Sequence, residues 1–335
     1  MRRNYVSLIA ALVVVGSVAF AADSALAKSK VLRLAATLPP DASPLVTLTE
    51  AAAKIKAATK GELEIQIFPS SQLGGQREFT EGVSMGTIDM CLIANGALES
   101  FEPRWAAYSL PFIFNNADHV YAYWDSALNK KMLDDFRTQK GMRGMAMFTE
   151  GEFRTVWTGP KAIRKFEDFK GVKLRVPEIP IYIDIFTALG ANATPMPFGD
   201  VYTGLQTSVV DGLELAATSI ILNNLTEVLK YNTKTMHIAS PMVVLINEDV
   251  FQSLTPEQQK IVTDAINEAS AKDRVNSRTN ATNNDEVLKK RGLEIIELSP
   301  EDIKKIRTVI QPVIDKYTKG VFTGDYLDQI RALGK

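Results

Sequence analysis

One short stretch of this sequence carries an arginine, which can bind an anion, and an aromatic ring a short distance further along the chain. Arg175 lies in the segment Val172–Val176, where apolar and charged side chains alternate as in a half-buried β-strand. Pro177 ends ladder pairing, so we expect Arg175 near the C-terminal end of the strand, where α/β folds place ligand groups. Two prolines further on frame a short extended piece that delivers Phe198. The chemistry available here is recognition rather than bond breaking.

Strand position alone leaves two interpretations of Arg175 open. A guanidinium keeps its charge in a closed cleft and can bind the carboxylate of a ligand through two parallel hydrogen bonds. Alternatively, Arg175 can form a salt bridge to Glu178 or Glu214 that fixes the strand.

The elements around Arg175 are predicted to form a βαβα unit. A helix is expected over about residues 181–189, ending at Gly190, which suits a left-handed C-cap. Asp200 is expected to be the N-cap of the next helix, which carries Gln206. Asp211-Gly212 then forms a tight turn into another short strand.

Catalytic and metal-binding patterns are absent from the sequence. There is no G-x-S-x-G nucleophile elbow and no H-E-x-x-H arrangement. His119 and His237 are interpreted as surface or hydrogen-bonding residues, and the single cysteine, Cys91, as a buried apolar residue of a strand. We therefore predict no metal, no cofactor and no enzymatic activity.

Length and composition indicate a two-lobed globular protein. The chain has 335 residues, of which 46% are hydrophobic and 23% charged. The net charge of −1, without a basic run that interleaves aromatic residues, argues against a nucleic-acid partner.

The N-terminus predicts export. Arg2 and Arg3 precede an apolar run over about residues 8–20, and Ala25-Leu26-Ala27 is a small-residue cleavage site. Residues 1–27 are therefore predicted to be a secretory signal peptide. The alternative, a transmembrane anchor, needs about 20 apolar residues, and this run is shorter.

The remaining pattern predicts a hinge and a long helix. Strand, helix and strand open the first lobe, the chain enters the second lobe near Gly151, and it returns along a strand at 242–247. A helix is expected from Pro256 over about 35 residues, because no breaker appears before Gly292. This helix is interpreted as a brace that packs against both lobes. Two helices broken near 276–283 are the alternative.

Ordered sequence pieces carry a family resemblance. These are Asp168–Pro177, Leu189-Gly190-Ala191, Pro195-Met196-Pro197, Val201-Tyr202, Leu205-Gln206-Thr207 and Val210-Asp211-Gly212-Leu213-Glu214. Together they resemble the signature region of the DctP-type solute-binding proteins of TRAP transporters (tripartite ATP-independent periplasmic transporters). The resemblance implies an α/β, two-lobed, type II-like periplasmic binding protein fold with hinge strands and a long bracing helix. We expect lobe I over 28–151 and 241–280, and lobe II over 152–240 and 281–335.

The resemblance also assigns site residues. It implies that Arg175 binds the carboxylate of the solute and that Arg154 is the second arginine that helps to hold it. Phe198 matches the aromatic ring that lines the pocket, and Thr37 and Gln76 match positions that contact solute in some members. Without the resemblance, Arg154 reads as a surface residue, Phe198 as core, and Thr37 and Gln76 as turn residues.

Departures from the acid-sugar branch of the family bear on the solute. Leu215 stands where those members have an asparagine, and Ala94 and Ala97, with Asn95 between them, replace a glutamate and an arginine. Sugar hydroxyls would stay unpaired against such walls, at about 1–3 kcal/mol each. We therefore expect a smaller or more apolar organic acid, mono- or dicarboxylate, with aromatic acids included. Glu178 either adds a hydroxyl or amine contact or offsets the charge of Arg175.

The predicted function follows from the resemblance. The protein is expected to act as a monomer in the periplasm, capturing a small organic acid and delivering it to a TRAP-type permease. Two alternatives stay open. The protein can instead feed a sensor or chemoreceptor, or it can be an enzyme on this fold that attaches a cofactor through Cys91.

Overall fold

One mixed sheet runs through the part of the chain that the computed structural model describes, Ser29–Lys335 without the side chain of Glu152. The predicted signal peptide, residues 1–27, lies outside the described residues. The strands are β1 (Lys30–Ala36), β2 (Leu63–Phe68), β3 (Met90–Ala94), β4 (Met142–Thr158), β5 (Lys173–Val176), β6 (Asn192–Pro195), β7 (Gly212–Ala216), β8 (Tyr231–Asn247) and β9 (Glu294–Glu297).

Helices cover the faces of this sheet. In chain order they are α1 (Ser43–Ala58), α2 (Gln76–Met85), α3 (Ala117–Asp125), α4 (Ala127–Lys140), α5 (Pro180–Ala188), α6 (Val201–Gln206), α7 (Ala217–Leu222), α8 (Glu248–Gln252), α9 (Pro256–Lys290), α10 (Pro300–Thr318) and α11 (Tyr326–Ala332). Short 3-10 helices at Asn95–Leu98 and Phe198–Asp200 join strands to helices beside the site described below.

The strand order explains the two lobes. It runs β2-β1-β3-β8-β4-β7-β5-β6, with β9 added beside β8. Strands β1, β2 and β3 pair in parallel in the first lobe, and β5, β6 and β7 do so in the second. Parallel pairing requires crossover connections, which here are the helices α1, α2, α5 and α6. This confirms the predicted α/β class.

Two antiparallel strands of 17 residues each, β4 and β8, cross from one lobe to the other. Their register is interrupted between Thr149 and Phe153, and again between Arg154 and Val156. Such irregularities bend a strand and increase its twist. The predicted double crossing is therefore present, as the middle of two continuous strands. The lobe boundaries predicted from the sequence stay a prediction.

The long helix α9 is continuous over 35 residues, so the alternative of two helices is wrong. Its first turn is capped, because Thr255 and Gln258 form a reciprocal capping box. Val262 and Ile266 of its first half pack into the core of the first lobe, and Leu288 near its end packs into the core of the second. The helix therefore braces both lobes, as expected.

The first turns of α1 and α6 lack a side-chain cap. Ser43 is the first residue of α1 rather than its cap, and its hydroxyl donates to Asp273 of α9 at 2.7 Å. Asp200 ends a 3-10 helix and lies at the predicted N-cap position of α6, but its side chain makes no capping hydrogen bond. Among the described residues, no helix has the length and apolar character needed to cross a membrane.

Candidate functional site

A cleft lies where the two lobes meet, and six of the eight predicted site residues line it. The first lobe contributes five of the lining residues, and the second lobe and the crossing strand β4 contribute the others. The lining consists of Thr37, Leu38, Gln76, Ala94, Gly96, Glu150, Arg154, Arg175, Pro177, Ile179, Tyr182, Phe198 and Leu215. Residues that are more than 170 positions apart in the sequence thus line the same cleft.

Arg175 is the lining cation that has no carboxylate partner among the described side chains. It is 3% exposed, at the end of β5 as predicted. Its Nε and Nη2 atoms both donate to the backbone oxygen of Met196, at 2.9 and 2.7 Å. The ring of Phe198 lies 5.9 Å from the guanidinium carbon. Both hydrogens of Nη1 and one of Nη2 stay available for a ligand.

Burial in the cleft makes the charge of Arg175 costly. It lowers the pKa of Arg175 to about 10, although Glu214 partly opposes this effect. The side chain is still charged at neutral pH, so a buried cation is held there without direct neutralisation. Buried charges are normally paired, and an incoming anion would provide that pair.

Arg154, the second predicted arginine, is held by the protein's own carboxylates. Its Nε and Nη2 atoms donate to the two carboxylate oxygens of Glu214, with the Nη2 contact at 2.8 Å. Nη1 donates to Glu150 and, at 3.2 Å, to Ser240. Ser240 in turn donates to Glu150 at 2.7 Å. The salt bridge to Glu214 that the sequence left open for Arg175 is therefore made by Arg154.

The pKa values of this buried pair reflect the competition between burial and charge. Burial opposes the charge of Arg154, but Glu214 and Glu150 outweigh it, so the pKa of Arg154 is raised. Burial likewise opposes the charge of Glu214, but Arg154 outweighs it and lowers the pKa of Glu214. Both groups are thus ionised at neutral pH.

His237 completes the network behind the cleft. Its Nδ1 atom is hydrogen-bonded to Thr235 at 2.8 Å, and its Nε2 atom lies 3.5 Å from Glu214. Burial lowers the pKa of His237, so it is neutral at pH 7. His119 is also buried and hydrogen-bonded, to the backbone oxygen of Ile330. The hydrogen-bonding interpretation of both histidines is confirmed, and the surface interpretation is wrong.

The first lobe supplies a wall of neutral groups. Gln76 at the start of α2 accepts a hydrogen bond from the Ala94 amide at 3.2 Å, which leaves its amide nitrogen for a ligand. Thr37 follows β1 and lines the cleft beside it. From the second lobe, the buried side chain of Leu215 in β7 adds an apolar surface.

Two predicted site residues do not line the cleft. Glu178 is exposed, and it does not come within 4 Å of a basic side chain in the described part of the chain. Asn95 is fully buried, and neither of its amide atoms has a partner among the described residues. Its neighbours Ala94 and Gly96 line the cleft instead. The strand-to-3-10-helix turn at Asn95 directs these neighbouring positions, rather than Asn95, toward the cleft.

Sequence reasoning missed six lining residues: Leu38, Gly96, Glu150, Pro177, Ile179 and Tyr182. Glu150 carried a usable signal, because it is a carboxylate four positions before Arg154 in the same strand, and the two side chains form an ion pair. Tyr182 lies in the first turn of α5, where it packs 5.7 Å from the guanidinium carbon of Arg154.

No group of His, Cys, Asp or Glu among residues 29–335 has a geometry suited to a metal ion. Cys91 lies fully buried in β3, where burial raises the pKa of its thiol well above the ordinary value. A thiol that stays protonated is a poor nucleophile.

Comparison with known proteins identifies close relatives. The profile of the family described as "Bacterial extracellular solute-binding protein, family 7" (DctP) matches residues 35–320. A TRAP periplasmic solute-binding protein of Xanthobacter autotrophicus, solved with β-D-galacturonate, is similar in structure. The two share a TM-score of 0.84 and 30% identity over 90% of this chain and 99% of that one.

Two further relatives bind different acids. A TRAP periplasmic solute-binding protein of Desulfovibrio salexigens, solved with orotic acid, has a TM-score of 0.83 and 30% identity over 90% of this chain and 97% of that one. The sialic acid-binding periplasmic protein SiaP of Vibrio cholerae is 27% identical, over 80% of this chain and 82% of SiaP.

Proposed function

This chain belongs to the DctP family of bacterial extracellular solute-binding proteins, and from that premise we propose that it captures a small organic acid through Arg175. The carboxylate of the acid accepts hydrogen bonds from the guanidinium edge that Met196 leaves unused. The protein then delivers the acid, in the periplasm, to a TRAP-type permease. It carries out no reaction on the solute.

One observation carries this proposal. Arg175 is a buried cation in the cleft between the lobes, and no described carboxylate lies within 4 Å of it, whereas the neighbouring Arg154 has two such partners. An uncompensated buried charge destabilises the folded protein when no ligand is bound. It is therefore best explained by a negatively charged ligand that completes the site.

Closure of the lobes supplies the mechanism. Arg175 and Phe198 come from the second lobe, whereas Thr37 and Gln76 come from the first. A solute that contacts both sets stabilises the closed arrangement, because it makes those contacts together only when the lobes meet. The register shifts in β4 lie between the lobes and are suited to absorb the bending. The permease would recognise this closed form.

The cleft wall suggests the size and polarity of the acid. Leu38, Ile179 and Leu215 present apolar surface, and Ala94 presents only a methyl group. A sugar acid with many hydroxyl groups would leave several of them unpaired here. The galacturonate and orotate of the two structural relatives each carry one carboxyl group. We propose an acid smaller or more apolar than a uronate.

A thermal-shift screen against small organic acids and polyols tests the proposal. A ligand that binds only the native state stabilises it by about 2.7 kcal/mol at a concentration of 100 Kd. We expect shifts with monocarboxylates and none with polyols, and we expect Arg175→Ala to abolish them. A thermal shift that persists in Arg175→Ala would show that another residue binds the carboxylate. Delivery is tested by uptake into vesicles that contain the TRAP membrane subunits of the same organism, with and without the protein.

A further inference from the structure

The five N–H donors of Arg154 are all used within the protein. Two of them bind the carboxylate oxygens of Glu214, and a third binds the Glu214 backbone oxygen at 3.1 Å. The remaining two, on Nη1, bind Glu150 and Ser240. Because a guanidinium carries five donors, none is left for a ligand. Arg154 therefore lines the cleft without offering a second anion-binding site.

The charges around the cleft are unevenly paired before any solute arrives. Arg154 and Arg175 are the cations of the lining, and Glu150 and the adjoining Glu214 are its carboxylates. Both carboxylates are paired with Arg154. A single incoming carboxylate meets Arg175, whereas a second one would find no cation and would approach Glu150. Burying a charge without a partner is far more costly than burying a neutral polar group.

We propose that Glu150 is a specificity-determining residue that, together with Glu214, holds Arg154 and restricts the cleft to acids with one carboxylate and an uncharged remainder. This inference rests on the proposed function, because it assumes that Arg175 binds the first carboxylate. Arg154 acts as a positioning residue in this scheme: it fixes the two glutamates and does not itself touch the solute.

The rest of the lining fits an uncharged remainder. Gln76 keeps its amide nitrogen for an acceptor, and the hydroxyl groups of Thr37 and Tyr182 are neutral donors and acceptors. Such groups can pair with a hydroxyl, a carbonyl or a carboxamide of the solute. They provide no full positive charge for a second carboxylate.

Matched pairs of acids test the inference on the wild-type protein. Succinate is compared with succinamate, glutarate with glutaramate, and phthalate with phthalamate, at pH 7.5 by thermal shift and calorimetry. Each pair keeps its shape and differs by one carboxylate against one carboxamide. We expect every dianion to bind at least tenfold more weakly than its monoamide, or not at all. A dianion that binds as tightly as its monoamide would overturn the inference.

The variant Glu150→Gln tests the role of the residue itself. Glutamine keeps the oxygen that accepts from Arg154 and Ser240 but removes the negative charge. We expect the preference for the monoamide over the dianion to shrink several-fold, because the dianion no longer meets a negative charge at this position. An unchanged preference in a folded variant would show that Glu150 is not the determinant. The wild-type comparison decides the selectivity even if the variant does not fold.

Different results would contradict the proposed function and the charge selection. If monocarboxylates bind through Arg175 but dianions bind equally well, the proposed function stands and the charge-selection inference fails. If no acid of the screen binds, the proposed function fails and the inference fails with it.

Discussion

The guanidinium of Arg175 is fixed by the backbone oxygen of Met196, which accepts from both Nε and Nη2 at 2.9 and 2.7 Å. Met196 follows β6, the strand that pairs with β5, so the partner strand of Arg175 provides the oxygen that orients it. One edge of the guanidinium is used for this contact, and the other faces a cleft that is closed to most of the solvent. One edge of the guanidinium therefore fixes its orientation, and the other edge is available to a ligand.

This arrangement predicts that charge alone does not preserve binding. In Arg175→Lys, an ammonium replaces the planar group and cannot bind Met196 and a carboxylate with two parallel pairs of hydrogen bonds. We expect affinity for the best acid of the screen to fall by about 2 kcal/mol or more, roughly thirtyfold, measured by calorimetry. Arg164→Gln, at an exposed ion pair with Glu294, should leave the affinity unchanged. Equal affinity of the lysine variant and the wild type would contradict the orienting role of Met196.

The buried pair of Arg154 and Glu214 predicts a large stability effect. Glu214 is fully buried, and Glu214→Gln removes the charge that compensates Arg154. We expect the free energy of unfolding to fall by about 3 kcal/mol, because breaking a buried pair leaves an uncompensated charge. Urea denaturation measures this. The matched control is Glu64→Gln, at the half-exposed pair with Lys56, where the loss should stay below about 1 kcal/mol. Similar losses in both variants would contradict the assigned importance of burial.

Local patterns explain which parts of the fold could be predicted from the sequence. The parallel strands β1 and β2, the helix between them, and the 35-residue helix α9 each follow from periodicity, capping residues and breakers within the segment itself. The position of Arg175 at the end of β5 follows from Pro177 in the same way. These features depend on neighbours in the chain, which a sequence displays directly.

Features that depend on distant pairing could not be predicted. The first half of β8 carries buried polar residues, among them Asn232, Thr233 and His237, so its sequence lacks the pattern of an apolar strand. The partner of Arg154 is set by the pairing of β4 with β7, in which residues about 60 positions apart in the sequence meet. The sequence offered Glu214 as a partner for Arg175, and only the strand register assigns it to Arg154.

The buried carboxyl group of Asp273 is expected to make a pH-dependent contribution to the free energy of unfolding. It is fully buried in α9 and accepts hydrogen bonds from Ser43 at 2.7 Å and from the Thr149 amide at 3.0 Å. Burial raises its pKa to about 6 despite these bonds. The folded state thus favours the protonated form, so this contribution is complete below about pH 4, the ordinary range for aspartate, and is lost as the pH rises through about 6.

Comparison of the wild type with Asp273→Asn isolates that contribution. Asparagine does not titrate, so the stability difference in favour of the wild type should grow as the pH falls from 7.5 to 4.5, by about 1.4 kcal/mol per unit of pKa shift. Urea denaturation at pH 4.5, 5.5 and 7.5 measures the difference, in which titration of the other groups cancels. A difference that stays constant over this range would contradict the raised pKa of Asp273.

The backbone conformation of Gly151 predicts that a side chain at this bend of β4 destabilises the protein. Its φ of +146° is a conformation that residues with a Cβ rarely adopt, and a Cβ there would lie 2.6 Å from the Cβ of Ala216 in β7. We expect Gly151→Ala to lower the free energy of unfolding by about 1–3 kcal/mol, as overpacking does elsewhere. Gly199→Ala, where a Cβ meets nothing within 4 Å, serves as the control and should change little. The double variant Gly151→Ala with Ala216→Gly should recover part of the loss, because it removes the clashing partner. If the two substitutions instead add without coupling, strain in the backbone of Gly151, and not its contact with Ala216, causes the loss.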